Sequence, residues 1–199
     1  MAAGVQQNRP PVHVILDVVQ AAADMKQLLL LDAAWTQAAE RSDQLTERDR
    51  EALVALGSRI DAEVAIVERH AATLQRIFEA HPALVNERVR GELASERFTT
   101  PQRDDALRWL GVENDDFARR GSEVAASIAQ RAPVERQDIR RKIPALRDEG
   151  PVVTDLSHEF VCNVAAGAFI AGVFACPETA GIGCIEAGFA FGFAVGFHC

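Results

Sequence analysis

The spacing of the four cysteines constrains this chain more than any other feature. All four lie in the last 49 residues, at positions 162, 176, 184 and 199, so successive cysteines are 14, 8 and 15 positions apart. Helices of about 21 and 22 Å would fill the two long intervals at the usual rise per residue. The short interval contains the turn-forming residues Pro177, Gly181 and Gly183. The spacing therefore predicts two antiparallel helices of matched length, a helical hairpin.

Helix geometry separates the three possible pairings of four cysteines, because a disulfide needs Cα atoms about 4.4 to 6.8 Å apart. Sequential pairing would join the two ends of one helix, and crossed pairing would need parallel helices that so short a turn cannot connect. The nested pairing remains, with Cys176–Cys184 at the turn and Cys162–Cys199 at the open end. The alternative is four free thiols that act as small buried residues, as in many cytosolic proteins.

The segment from 151 to 199 differs from the rest of the chain in composition. It contains seven of the ten phenylalanines, no lysine or arginine, and four acidic residues. The preceding 150 residues contain all 21 basic side chains and 25 acidic ones. This contrast predicts two domains, a charged body at 1–150 and an apolar hairpin at 151–199.

Small and aromatic residues recur at helical spacing in the hairpin. The small ones predict close packing of the two helices, an arrangement favoured in lipid, and are Ala168, Gly172, Gly188, Gly192 and Gly196. The aromatic ones predict an outward surface for lipid or a partner, and are Phe169, Phe189, Phe193 and Phe197. On this interpretation, leucine at Gly192 would disrupt the hairpin. The alternative is that the hairpin is the buried centre of a larger helical protein, since helices that are apolar all round are often core.

The body is predicted to be helical throughout. Periodic apolar residues predict a first helix from about Val12 to Arg41 and a second from the N-cap Thr46 to His81, with an apolar seam from Leu53 to Phe78. These two helices are expected to pack antiparallel. Shorter helices are predicted at 83–98, 101–110, 113–131 and 133–142, followed by a linker. No strand pattern is present, so the predicted class is all-α, a helical bundle followed by a stapled hairpin.

No pattern in the sequence is typical of a catalytic or metal site. The five histidines lack the HExxH spacing, and neither a glycine-rich phosphate loop nor a GxSxG motif is present. The formal charge of −8, with arginines alternating with acids, disfavours nucleic-acid binding. We therefore expect no enzymatic activity, no catalytic residue, no metal, no cofactor and no nucleic-acid partner.

The C-terminal segment resembles halocin C8-like bacteriocin precursors, in which a longer N-terminal part precedes an apolar peptide rich in cysteine and small residues. The resemblance covers about 40 residues from Cys162 to Cys199, and includes residues 164–167 (VAAG), Cys176-Pro177 and residues 181–184 (GIGC). It implies that the C-terminal peptide is released as a disulfide-rich antimicrobial, and that the N-terminal part provides immunity. A processing protease and an exporter would then be partners.

Together these observations predict a precursor whose body masks a membrane-directed hairpin, aimed at a membrane or a membrane protein. The body is expected to lay the Leu53 to Phe78 seam on the phenylalanines at 189, 193 and 197. The N-terminus lacks the charged and apolar regions of a signal peptide. Synthesis in the cytoplasm is therefore expected, with the peptide later secreted or membrane-associated. The alternative function is a membrane-associated structural protein anchored by the hairpin, although each helix is shorter than the roughly 20 residues of a usual span.

Overall fold

The computed structural model describes residues 10–39, 45–146, 155–179, 181–196 and 199. Within these ranges the chain forms seven α-helices and no strand, so the all-α prediction is confirmed. The helices are α1 (Val12–Ala39), α2 (Glu47–Ala80), α3 (Pro82–Leu93), α4 (Thr100–Leu110), α5 (Phe117–Ala145), α6 (His158–Ala175) and α7 (Ile182–Gly196). One 3₁₀ turn, Cys176–Glu178, follows α6.

Local sequence signals set the start of α2 and α4. The Thr46 hydroxyl accepts from the Asp49 N–H, while the Asp49 carboxylate accepts from the Thr46 N–H at 2.9 Å, forming a capping box. Thr99 and Gln102 form the same arrangement at α4. The N-cap predicted at Thr46 is therefore confirmed, and α2 ends one residue before His81.

Three long helices form the frame of the body. The His70 ring nitrogen lies 2.8 Å from the Asp24 carboxylate and so joins α2 to α1. The Asp61 carboxylate accepts from Arg136 at 3.0 Å and joins α2 to α5. The Leu53 to Phe78 seam packs mainly against α1 and α5. The expectation that this seam covers the hairpin phenylalanines is therefore wrong, because its apolar face is already occupied within the body.

Helix α5 differs from its prediction. Two pieces separated near Pro133 were expected, but a single helix runs through both Pro133 and Pro144. Proline removes one backbone hydrogen bond and costs about 3 kcal/mol inside a helix. The buried residues Ile128, Ala132 and Ile139 and the pairing of Arg136 and Arg140 with Asp61 hold the helix together on both sides of Pro133. Tertiary contacts thus outweigh the local break.

Helix α6 lies at the centre of the molecule. It packs against α1, α3, α5 and α7, and every residue from Val164 to Ala175 is buried. The stretch His158–Glu178 has the length and hydropathy of a membrane span, yet most of it is covered by protein. For α6, the alternative of a buried core helix therefore describes the fold.

Candidate functional site

The hairpin of α6 and α7 is closed by two nested disulfides, as predicted. Cys162–Cys199 joins the open end, with Cα atoms 5.6 Å apart, and Cys176–Cys184 joins the turn, with Cα atoms 4.8 Å apart. Both distances lie within the range that a disulfide requires. Each disulfide connects the hairpin only to itself, so the hairpin is covalently closed independently of the body.

The closest approach of α6 and α7 lies near the turn. A Cβ built on Gly172 would stand 2.6 Å from the carbonyl oxygen of Gly183 and 2.8 Å from the amide nitrogen of Ala187. Gly172 therefore lies in the predicted helix contact, and Ala168 is fully buried in α6. Gly183 completes the contact from the opposite helix. Sequence reasoning missed Gly183 because it lies in a turn-rich stretch.

Gly188, Gly192 and Gly196 do not take part in this contact, which corrects the prediction. All three are exposed, and a Cβ on any of them would meet no described atom within 4 Å. The stripe with period four exists, but it faces away from α6. Ala187 lies against Gly172 of α6 instead, and Ala187, Ala190 and Ala194 are all buried.

The predicted aromatic surface is also only partly outward. Phe169 is buried, with its ring 5.7 Å from Trp109 and 6.0 Å from Phe191 between centroids, so its assignment to the outer surface is wrong. A helix that is apolar all round gives no sequence signal for its outer face. Phe189 and Phe193 are half-buried against the core. Phe197 lies outside the described residues.

An exposed apolar strip nevertheless runs along α7. It consists of Ile182, Ile185 and Val195, which are 54%, 66% and 60% exposed, and the three outward glycines lie on the same helix. Sequence reasoning did not single out Ile182 or Val195. The hairpin thus has one helix buried in the body and one helix with an open apolar side.

Each acidic side chain on the hairpin helices and turn pairs with a basic side chain of the body. Glu159 lies 2.9 Å from Arg131 on α5, Glu178 lies 3.2 Å from Arg88 on α3, and Glu186 lies 3.1 Å from Lys26 on α1. Three helices of the body therefore hold the start of α6, the turn and the middle of α7. Two of these three basic residues also stack on hairpin rings, Lys26 over Phe189 and Arg88 over Phe174.

Two carboxylates of the body bind the backbone at the start of α6. Asp32 on α1 accepts from the Leu156 N–H at 2.9 Å, and Glu135 on α5 accepts from the Ser157 N–H at 3.1 Å and from the Ser157 hydroxyl. The positive end of a helix dipole favours negative charge here. Burial outweighs the Leu156 hydrogen bond and raises the pKa of Asp32 to about 6. The start of α6 is thus held by hydrogen bonds to two carboxylates, and Asp32 becomes protonated as the pH falls to about 6.

Charged side chains of the body also lie beside the disulfide at the turn. The buried carboxylate of Glu92 lies 3.3 Å from the Cys176 sulfur and 3.7 Å from the Cys184 sulfur. Arg97 donates to Glu92 at 2.6 Å, and the same nitrogen lies 3.5 Å from the Cys176 sulfur. Arg88 also donates to the carbonyl oxygen of Phe174 at 3.2 Å. Helix α3 and the residues after it therefore hold the turn.

Two clusters among the described residues have the ligand types of a metal site, Glu92 with Cys176 and Cys184, and His158 with Cys162 and Cys199. In both clusters the two sulfurs are bonded to each other, and a metal requires the thiolate form. At Glu92 the guanidinium of Arg97 already lies where a cation would bind the carboxylate. With its sulfurs bonded to each other, neither cluster suits a metal ion.

Comparison of the chain with protein-family models, curated proteins and solved structures gave no match. The resemblance to halocin C8-like precursors stays a prediction, as does the boundary between the two domains.

Proposed function

We propose that this chain is the precursor of a membrane-directed, bacteriocin-like peptide, with the stapled hairpin as its active part and the charged body as its mask. The observation that carries this proposal is the distribution of covalent bonds. Both disulfides lie within the hairpin, whereas among the described residues the hairpin is held to the body by side-chain packing, ion pairs and hydrogen bonds. Cutting the chain between α5 and α6 would leave a unit that retains its own closure.

The contacts with the body support a masking role. Helix α6 is the more deeply buried helix of the hairpin, and α1, α3 and α5 cover it. The three ion pairs at Glu159, Glu178 and Glu186 orient the hairpin on the body, since each acid meets a cation from a different helix. The Glu159 pair is exposed and the other two are partly buried. An exposed pair contributes roughly 0 to 1 kcal/mol, and a buried pair loses much of its attraction to desolvation, so apolar burial supplies most of the attraction.

The composition of the hairpin decides what kind of membrane it would enter. Most peptides that disrupt membranes use basic residues to reach anionic lipid, and none is present from 148 to 199. The driving force is then apolar burial alone, starting from the exposed strip of α7 and completed by α6 after release. We therefore expect no preference for anionic lipid.

Trypsin tests the proposal, because it cleaves only after lysine and arginine. The last basic residue is Arg147, so complete digestion of the oxidised chain leaves residues 148–199 uncut. The full-length protein, the digest and the digest treated with reductant are each added to vesicles of zwitterionic or anionic lipid loaded with a dye. We expect dye release only from the oxidised digest, and at least as much from zwitterionic as from anionic vesicles, because residues 148–199 contain six acidic side chains and no lysine or arginine.

The variant pair Cys162→Ala with Cys199→Ala opens the staple at the open end and serves as the control for the hairpin, with expected loss of most dye release. An oxidised digest that releases no dye from either vesicle would refute the proposal. Full-length protein that binds both vesicles and remains uncleaved in cell membranes would instead favour the anchored structural protein.

A further inference from the structure

The disulfide at the turn lies in surroundings that suit two thiols better than a disulfide. The Glu92 carboxylate is buried, and one of its oxygens lies within 3.7 Å of both sulfurs. A disulfide has no hydrogen to donate to that oxygen. Two thiols would each have one, so reduction creates hydrogen bonds that the oxidised form lacks.

The two sulfurs also differ in access and in charge environment. Cys176 is 1% exposed and lies beside the Arg97 guanidinium, whereas Cys184 is half-buried. A neighbouring cation stabilises a thiolate. The pair thus combines one sulfur that a small thiol reaches, Cys184, with a buried leaving sulfur, Cys176. The Cys176 sulfur has the Arg97 cation at 3.5 Å to support it as it leaves and the Glu92 carboxylate at 3.3 Å to accept a hydrogen bond from the resulting thiol.

From this arrangement we infer that Cys176–Cys184 is a thiol–disulfide exchange site, which takes a low-molecular-weight thiol of the glutathione class as reductant. The thiolate of the small molecule attacks the Cys184 sulfur, the bond to Cys176 breaks, and its electron pair leaves on the Cys176 sulfur beside Arg97. A second small thiolate attacks the mixed disulfide at the small molecule's sulfur and releases Cys184. Two small thiols become one small disulfide, and the two cysteine thiolates take protons from water.

The disulfide at the open end provides the internal comparison. Cys199 is exposed and Cys162 half-buried, with the His158 ring 3.8 Å from the Cys162 sulfur. No buried carboxylate stands over these two sulfurs among the described residues. At equilibrium, the pair at the turn should therefore be the more easily reduced of the two, although the pair at the open end is better exposed.

The test uses full-length protein in glutathione buffers of graded composition, followed by acid quench, alkylation and mass spectrometry. The variant Cys162→Ala with Cys199→Ala reports the pair at the turn, and Cys176→Ala with Cys184→Ala reports the pair at the open end. The measured quantity is the squared glutathione concentration divided by the glutathione-disulfide concentration at half-reduction. We expect this ratio to be about tenfold lower for the pair at the turn than for the pair at the open end, equivalent to a difference of about 30 mV in reduction potential. Peptide mapping of both disulfides in the unsubstituted chain replaces the variants if either fails to fold.

Arg97→Gln removes the guanidinium from beside Cys176 and from its ion-pair partner Glu92. It should raise the ratio needed at the turn by about threefold to tenfold, because Cys176 loses its cation. Arg108→Gln, at an exposed arginine paired with Asp105, should leave the ratio unchanged. The inference is overturned if the two arginine variants behave alike, if the pair at the turn needs as much glutathione as the open end, or if it stays oxidised until circular dichroism shows unfolding.

Discussion

Alanine at Gly172 and alanine at Gly192 should change the stability of the protein in opposite directions. A methyl group on Gly172 would lie 2.6 Å from a backbone oxygen and 2.8 Å from a backbone nitrogen of the opposite helix, so α6 and α7 must separate. Overpacking of this kind costs about 1 to 3 kcal/mol, and the contact with backbone on two sides favours the upper part of that range. Replacing a helical glycine by alanine returns about 1 kcal/mol. The net effect is a loss of about 1 to 2 kcal/mol.

At Gly192 only the gain from replacing a helical glycine by alanine applies. The position is exposed, and a Cβ there meets no described atom within 4 Å, so alanine should stabilise the protein by about 0.5 to 1 kcal/mol. Leucine at Gly192 should likewise leave the hairpin packed, contrary to the expectation from sequence.

Thermal unfolding followed by circular dichroism measures both variants. The melting temperature should fall by about 2 to 8 °C for Gly172→Ala and rise by about 1 to 4 °C for Gly192→Ala, given roughly 2 to 4 °C per kcal/mol for a chain of this size. Equal destabilisation by both variants would place Gly192 in a helix contact and refute the reasoning. A stabilised Gly172→Ala variant would refute it as well.

Three further predictions concern the contacts that hold the hairpin in the body. The pKa of Asp32 is raised from 3.8 to about 6 in the folded state, so folding favours the protonated carboxyl. The resulting stabilisation is fully present below about pH 4 and is lost as the pH rises through 6. Asp32→Asn retains an oxygen for the Leu156 N–H and should remove this step, leaving the variant about 2 to 3 kcal/mol more stable than the natural chain at pH 7. Urea midpoints between pH 4 and 7 measure it, and an unchanged pH slope would contradict the assignment. Ser157→Ala removes the N-cap of α6 and a donor to buried Glu135, and should cost about 2 to 3 kcal/mol in urea unfolding. Thr46→Ala, at an exposed cap, should cost only about 1 kcal/mol, and equal losses would show that Glu135 does not depend on Ser157. Phe169→Ala should cost about 3 to 5 kcal/mol and Val195→Ala less than about 0.5 kcal/mol, whereas the reverse order would return Phe169 to the outer surface.

The sequence predicted best those features that depend on a fixed distance between residues. Helix rise and disulfide geometry together exclude two of the three cysteine pairings, so the nested bonds Cys162–Cys199 and Cys176–Cys184 follow from spacing alone. The capping box at Thr46 and Asp49 is similarly local. These features depend on residues within one helix or one hairpin.

The faces of the apolar helices were not predictable in the same way. Rows with period four occur on more than one side of a helix, and Gly188, Gly192 and Gly196 form such a row away from α6. Phe169 gave no sign of burial because its helix has no polar side for contrast. Which row packs is decided by the partner surface, which sequence periodicity within one helix does not encode.

The polar contacts between body and hairpin also lay beyond sequence reasoning. Glu92 and Cys176 are 84 positions apart, and Asp32 and Leu156 are 124 apart. No spacing rule connects such pairs. Their meeting depends on α6 entering the bundle between α1 and α5, which in turn reflects the apolar surface that α6 must bury.

The most direct test of the central claim is the intact mass and circular dichroism of the fragment left by complete trypsin digestion, kept in mild detergent without reductant. The account predicts one fragment, residues 148–199, about 4 Da lighter than its reduced form because of its two disulfides, and still helical. A fragment with free thiols, or an oxidised fragment that has lost its helical signal, would show that the hairpin depends on the body for its structure. That result would contradict the claim that the hairpin is a separable unit.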